Sequence, residues 1–280
     1  MDWLPIYDEI RVAVSAEHRF GTDAILLSHF AAPAPGETVC ELGTGCGAIA
    51  LRLAATRRPA AVHGVDIQAE AIALAQAGAE AFPGEPRPTF AVGDWRDCRA
   101  LAPAGSFRRV VCNPPYFPPD SGGVSRSEAG KIARHEQPDT LDTLCGAAAW
   151  LVQSGGSFCL CHRPERLPAV LAALTRHKLE PKRLQPVQKR GDSAPWLFLL
   201  EARRDGRPGL SWLPPLILYT DTGEPTPAMR EIYRDFSPEK PEKGGEQDEG
   251  TDLRTADAGG NPHRQSQRLF PPGSGGAGGV

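Results

Sequence analysis

Asn113, Pro114, Pro115 and Tyr116 stand together directly after the apolar run Arg109-Val110-Val111-Cys112. That combination suits one kind of chemistry. An amino group conjugated to an aromatic ring or a carbonyl has its lone pair delocalised, so it is a poor nucleophile. Two acceptors, the Asn113 side-chain carbonyl and the Pro114 main-chain carbonyl, can take its two N–H protons and turn the lone pair toward an alkyl donor. Two prolines stiffen the presentation. Tyr116 can lie flat on the planar group, a contact worth ~1–3 kcal/mol for a nucleobase. A proline-rich turn after a strand has the same composition, and the chain holds 28 prolines, so the segment is informative only in its context.

That context is a series of strand ends. The run 38–42 reads as a strand that enters Gly43-Thr44-Gly45-Cys46-Gly47-Ala48 and then a helix. Glycines let the backbone approach a ligand closely, and the helix start offers unpaired N–H groups. Gly43, Gly45 and Ala48 fit a dinucleotide-binding loop loosely, so the loop alone does not choose a cofactor. A second strand, 61–66, ends in Asp66, suited to two ribose hydroxyls. A third, 89–92, runs to Asp94 and Trp95: Asp94 can accept from an adenine amino group, while Trp95 or Ile67 flanks the ring. The fourth delivers Asn113. Glycine loop, acid, acid and Asn-Pro-Pro-Tyr, in that order on four strand ends, resemble the Rossmann-like S-adenosylmethionine-dependent methyltransferases. The resemblance implies an α/β fold of class I: a seven-stranded, mostly parallel sheet with helices on both faces and a C-terminal antiparallel hairpin.

The elements downstream continue the alternation. Residues 141–151 read as a helix, 156–161 as a fifth strand and 165–176 as another helix. Residues 184–188 and 196–202 read as two strands joined by a polar, glycine-containing stretch, a hairpin that closes the sheet. The 280 residues leave room for one large domain or two small ones. Residues 1–236 are expected to form the methyltransferase domain. The segment 237–280, with its Ser-Pro-Glu-Lys start and Gly-rich end, has too few apolar residues to bury and is expected to be a disordered tail. No basic segment followed by an apolar stretch opens the chain, and no run approaches the ~20 apolar residues of a membrane span, so a cytoplasmic protein is expected. The seven cysteines form no paired C-x-x-C sets. They are read as reduced thiols, with Cys159 and Cys161 as alternating strand residues and no metal site.

Net charge is −3, but residues 121–207 hold 14 Lys/Arg against 9 Asp/Glu, an excess compatible with phosphate contacts and equally with an ordinary solvated surface. The segments Lys131 to Glu136, His162 to Leu167 and Leu179 to Leu184 narrow the choice. With Arg19 to Leu27 and Leu213 to Tyr219, they resemble the bacterial tRNA1(Val) adenine N6-methyltransferase family over about residues 5–233. This implies methyl transfer to N6 of the adenine 3′ of a tRNA anticodon, with tRNA as partner. It also implies cofactor contacts from Glu41, Gly43, Gly45, Gly47, Asp66, Ile67, Asp94, Trp95 and Asn113, and a catalytic segment of Asn113, Pro114, Pro115 and Tyr116. Arg134, His135, Arg163 and Arg166 are candidate RNA contacts.

Some roles stay open. His135 beside Glu136 invites a general-base assignment, but alkylation acidifies the attacking amine, so its proton can leave to water; a structural or RNA-contacting role is preferred. Arg163 and Arg166, with His162, mark either a helix entry with an exposed basic face or phosphate positioning. Thr22 or Asp23 is expected to cap the first helix, the alternative being closure over the methionine end of the cofactor. A protein-glutamine methyltransferase would present the same two acceptors to a carboxamide. Such enzymes carry a sizeable helical domain ahead of the glycine loop, where only 40 residues precede Glu41. A binding module that kept the cofactor site without catalysis is a third reading, against which the intact Asn113 to Tyr116 segment speaks. Oligomeric state is not legible. Deleting residues 237–280 is expected to leave the melting temperature and cofactor affinity near those of the full chain, as calorimetry would show.

Overall fold

A computed structural model describes residues 1–115 and 140–234. All of them fall within one unit, Met1–Pro238. A short antiparallel hairpin, β1 (Asp2–Tyr7) and β2 (Ile10–Val14), leads into α1 (Thr22–Ala31). The glycine loop joins β3 (Thr38–Leu42) to α2 (Ala48–Arg57). There follow β4 (Ala61–Asp66), α3 (Ala69–Glu80), β5 (Thr89–Val92), the short α4 (Cys98–Leu101) and β6 (Phe107–Cys112). The second half runs α5 (Thr140–Leu151), β7 (Val152–His162), α6 (Leu167–Arg176), β8 (Leu179–Gln188) and β9 (Leu197–Arg204). Two-residue strands β10 (Ser211–Trp212) and β11 (Leu216–Ile217) and the helix α7 (Pro227–Arg234) complete it.

Seven strands make the body of the sheet, in the order β5-β4-β3-β6-β7-β9-β8, and β10 and β11 both extend its β8 edge. The pairs from β5 to β7 are parallel; β9 runs antiparallel between β7 and β8. The hairpin is therefore present, but its returning strand is inserted inside the sheet. Its strands are also longer at one end than local patterning suggests: β8 starts at Leu179 and β9 extends to Arg204, because cross-strand pairing carries the ladder through Glu180, Pro181 and Arg183. Trp196 falls just outside β9. The helix expected from 165 starts at Leu167, after a 3-10 turn over Pro164–Arg166. The β1–β2 hairpin and α7 were not foreseen.

Side-chain alternation explains why the sheet is covered twice. Along β6, Val111 joins one apolar cluster while Val110 and Cys112 join the other; along β7, Cys159 and Cys161 face the first, and Phe158 and Leu160 the second. The first cluster takes residues of α1, α2, α3 and α7, the second those of α5 and α6. All seven cysteines are free thiols, and Cys159 and Cys161 are alternating strand residues as expected.

A charged side chain ties the first layer together. Arg52 of α2 is 2% exposed. Its guanidinium donates to the Ile6 carbonyl at 3.0 Å and the Ile232 carbonyl at 2.6 Å, joining β1 and α7 to the helix that follows the glycine loop. Arg52→Met fills similar volume yet strands two buried acceptors, each worth about 1–3 kcal/mol. Urea unfolding of this variant is expected to show a loss of at least ~2 kcal/mol.

Candidate active site

The site is built where strand order reverses. β3, β4 and β5 run off one side and β6 and β7 off the other, so the chains leaving β3 and β6 diverge and open a crevice at their C-terminal ends. Leu42 pairs with Cys112, so Gly43 and Asn113, the next residue on each strand, emerge side by side.

The glycine loop is held at both ends. Gly43 and Thr44 donate to the Val65 carbonyl at 2.9 and 3.0 Å, which ties the loop to β4. Gly47 serves as N-cap of α2 in the left-handed region, φ 81°, and has no side chain to cap with. Glu41 takes over that task from β3: its Oε2 accepts from the Ala50 N–H at 2.9 Å and from the Thr44 hydroxyl at 2.7 Å. Glu41 is 1% exposed, and burial pushes its carboxyl up to about 8 against the two hydrogen bonds, which act to lower it. The glycines differ in what they protect. A Cβ at Gly43 would meet Trp95 Cζ3 at 2.9 Å, and one at Gly47 would meet Phe90 Cζ at 2.9 Å. At Gly45, φ 53°, it would meet nothing within 4 Å. Gly45 thus borders open space, where a bound group can approach the backbone closely.

Asp66, at the end of β4, accepts from the Gly45 N–H at 2.8 Å and the Gln68 N–H at 2.9 Å. Each carboxylate oxygen keeps a further lone pair. Ile67 beside it is 47% exposed, a large apolar side chain at the rim. Trp95 lies against Gly43. Asp94 caps the 3-10 turn at Trp95–Asp97 through the Arg96 N–H at 2.9 Å and pairs with the Arg96 guanidinium, which holds its carboxyl below the usual range. Its oxygens therefore have neighbours of their own, a local contact two residues away.

Asn113 is gripped from two elements. Its amide nitrogen donates to Asp23 Oδ2 at 3.1 Å, and its carbonyl accepts from the Cys161 thiol at 3.1 Å. The first contact corrects an expectation. Gly21, not Thr22 or Asp23, is the N-cap of α1, and no side chain caps it there. Asp23, in the first turn, instead reaches an asparagine ninety positions away. Neither Asp23 nor Cys161 stood out in the sequence as a partner of Asn113, because the pairing depends on β6 lying beside β7 and α1 packing over the sheet. Pro114 is buried and Pro115 half-buried next to it. Tyr116, Arg134, His135 and Glu136 lie outside the described residues.

At the other strand end, His162 is fully buried rather than part of an exposed basic face. Its Nδ1 accepts from the Arg163 N–H at 2.8 Å, it stacks on Phe198, and burial lowers its pKa to about 4. Arg163 donates to the Trp196 carbonyl at 3.1 Å and lies over the Trp196 ring. Arg166 is half-buried in the turn before α6.

Sheet order, crevice and glycine loop define a Rossmann-like methyltransferase. The family model described as the methyltransferase small domain matches residues 14–127. A tRNA1(Val) (adenine(37)-N6)-methyltransferase of Porphyromonas gingivalis is 31% identical over 191 residues, covering 66% of this chain and 74% of that protein. The chain belongs to this tRNA1(Val) (adenine(37)-N6)-methyltransferase family. A release factor glutamine methyltransferase of Rhodospirillum rubrum is 41% identical over 107 residues, but these are 38% of this chain and 31% of that one. Among solved structures, a predicted O-methyltransferase from Agrobacterium tumefaciens superposes with a TM-score of 0.63 at 21% identity, over 78% of this chain and 98% of its own; it shares the fold.

The buried Glu41 makes stability pH-dependent in a defined direction. Its folded pKa lies above the ordinary 4.5, so the folded state holds a proton that the unfolded chain releases. This contribution is complete below about pH 4.5 and is lost as pH rises toward about 8. Glu41→Gln keeps an oxygen for Thr44 and Ala50 without the titration. Between pH 5.5 and 8 the parent is expected to lose stability relative to this variant, by at most ~1.4 kcal/mol per pH unit, measured by urea unfolding at each pH.

Proposed function

We propose that this chain transfers the methyl group of S-adenosylmethionine to the exocyclic N6 amine of adenine 37, the base 3′ of the anticodon, in tRNA1(Val). The observation that carries the reading is Asn113, presented beside the glycine loop at the strand reversal, in a chain of this family. The cofactor supplies an electrophilic methyl carbon on a sulfonium. Gly43, Gly45 and Gly47 give it close backbone approach, and the open space beside Gly45 fits such a group. Asp66 receives the ribose hydroxyls, with Ile67 and Trp95 against the adenine ring and Asp94 toward its amino edge. Glu41 acts through the loop it supports.

Asn113 and Pro114 orient the substrate amine. The Asn113 carbonyl has two lone pairs, and the Cys161 thiol, a weak donor, engages one. This carbonyl is the acceptor we assign to an N–H of the amine. The Asp23 carboxylate holds the amide nitrogen, which fixes which end of the side chain faces the substrate. As the amine takes the methyl group, its pKa falls and its proton leaves to water, so no strong base is required. Tyr116 stacks on the base, which must leave its neighbours to be reached. Arg134, His135, Arg163 and Arg166 are proposed phosphate or base contacts, the 1–236 segment is the catalytic domain, and the substrate places the reaction in the cytoplasm.

Asn113→Ala is expected to bind S-adenosylmethionine with near-parental affinity in calorimetry and to lose ~10²–10³ in methyl transfer to a tRNA1(Val) transcript. Tyr116→Ala should lose rate while Tyr116→Phe retains much of it, since stacking needs the ring and not the hydroxyl. A parental-rate Asn113→Ala, or a parent that methylates a release-factor glutamine peptide and ignores RNA, would sink the adenine reading.

A further inference from the structure

Glu17, His18 and Glu70 converge where the chain between β2 and α1 meets the start of α3, and one ligand atom from each lies within 4.8 Å of the others. His18 is 5% exposed, and its Nε2 is buried without a hydrogen-bond partner. Glu70 Oε2 stands 3.9 Å from that nitrogen, beyond hydrogen-bond range. A buried imidazole nitrogen left unpaired and turned toward two carboxylates calls for an explanation. The segment that presents it is preformed: Ser15 Oγ accepts from the N–H groups of Glu17 and His18 at 3.3 and 3.1 Å, and the Ser15 N–H donates to the His18 carbonyl at 3.1 Å.

We infer that Glu17, His18 and Glu70 form a binding site for a divalent transition-metal ion, Zn²⁺ by preference. One imidazole and two carboxylates are a donor set that zinc accepts, with a fourth position for water, whereas Mg²⁺ and Ca²⁺ favour shells of oxygen alone. Two carboxylates and a neutral imidazole carry the charge that a dication balances. Tetrahedral zinc places its donors about 3.3 Å apart. The exposed glutamates reach that separation by rotamer changes, while the buried His18 stays in place. Glu70, in the first turn of α3, also suits the positive helix start. The ion acts as a staple. It fastens the residues leading into α1, which carries Asp23, to the start of α3, which follows Asp66 and Ile67, and so joins two walls of the crevice. It takes no part in the transfer itself, and it stands whatever the methyl acceptor is. Expectation from the cysteine pattern was of no metal site; these ligands come together only through packing of α3 on β2.

The test uses the full chain, freed of metal with a chelator and titrated with ZnCl₂. Bound zinc is read by competition with a chromophoric chelator, and the melting temperature is followed in parallel. The expected result is one zinc per chain and a rise of several degrees. Glu70→Gln and His18→Asn should each weaken zinc binding at least tenfold, and His63→Asn should leave it unchanged. Glu70→Gln changes an exposed side chain, so it remains informative should the His18 variant fold poorly. Zinc bound equally well by the Glu17→Gln/Glu70→Gln double variant would place it on cysteines and overturn the site. An equal thermal shift with MgCl₂ would indicate mere screening of carboxylates and overturn it too. If zinc neither binds nor raises the melting temperature of the parent chain, the inference falls.

Discussion

Glu41 is the contact on which the crevice depends. Helix α2 starts at a glycine in the left-handed region, so it has no side chain of its own to cap it, and the loop before it borders open space at Gly45. A carboxyl from β3 supplies the cap without filling that space. It takes the Ala50 N–H and the Thr44 hydroxyl from behind, leaving the loop surface at Gly45 open in front. Burial makes that arrangement work at neutral pH with a proton on the carboxyl, since an isolated buried charge there would be far more costly than a neutral acid.

The position of Asn113 follows from register. Pairing of Leu42 with Cys112 puts Asn113 next to the glycine loop, and pairing of Cys112 with Leu160 brings Cys161 to Asn113. With Asp23 on the other side, both ends of the amide are assigned a partner. The two contacts hold the amide in one orientation, its nitrogen toward Asp23 and its carbonyl toward Cys161. The same economy governs Arg52, where one guanidinium satisfies carbonyls from both ends of the described chain.

Much of the crevice is legible in the sequence because its parts are local. An apolar run that ends in glycines, in an aspartate or in Asn-Pro-Pro is a strand end whatever surrounds it, and β3, β4, β5 and β6 occur where those runs predict. Asp94 shows the limit even at short range: the same carboxylate that reads as a ligand acceptor also meets Arg96 two residues on. The β1–β2 hairpin was illegible for a related reason. Pro5 within β1 argues against a strand, and the turn places Asp8 at φ 46° without a glycine to signal it.

By itself, then, the sequence determined the alternation of elements from β3 to β9 and the residue types at the strand ends. Each follows from hydrophobic period and backbone preference over a few neighbouring residues. Only the tertiary structure decided which side chains meet: Asp23 with Asn113, Arg52 with Ile6 and Ile232, His18 with Glu17 and Glu70, and His162 against Phe198 inside the core. In the sequence Asp23 reads as a helix cap or as part of a closure over the cofactor, and His162 as part of a basic face or of a phosphate contact, until the sheet order is known. A side chain's protonation and partner are set by what packs around it, and for these residues that environment comes from strands and helices far away in the chain.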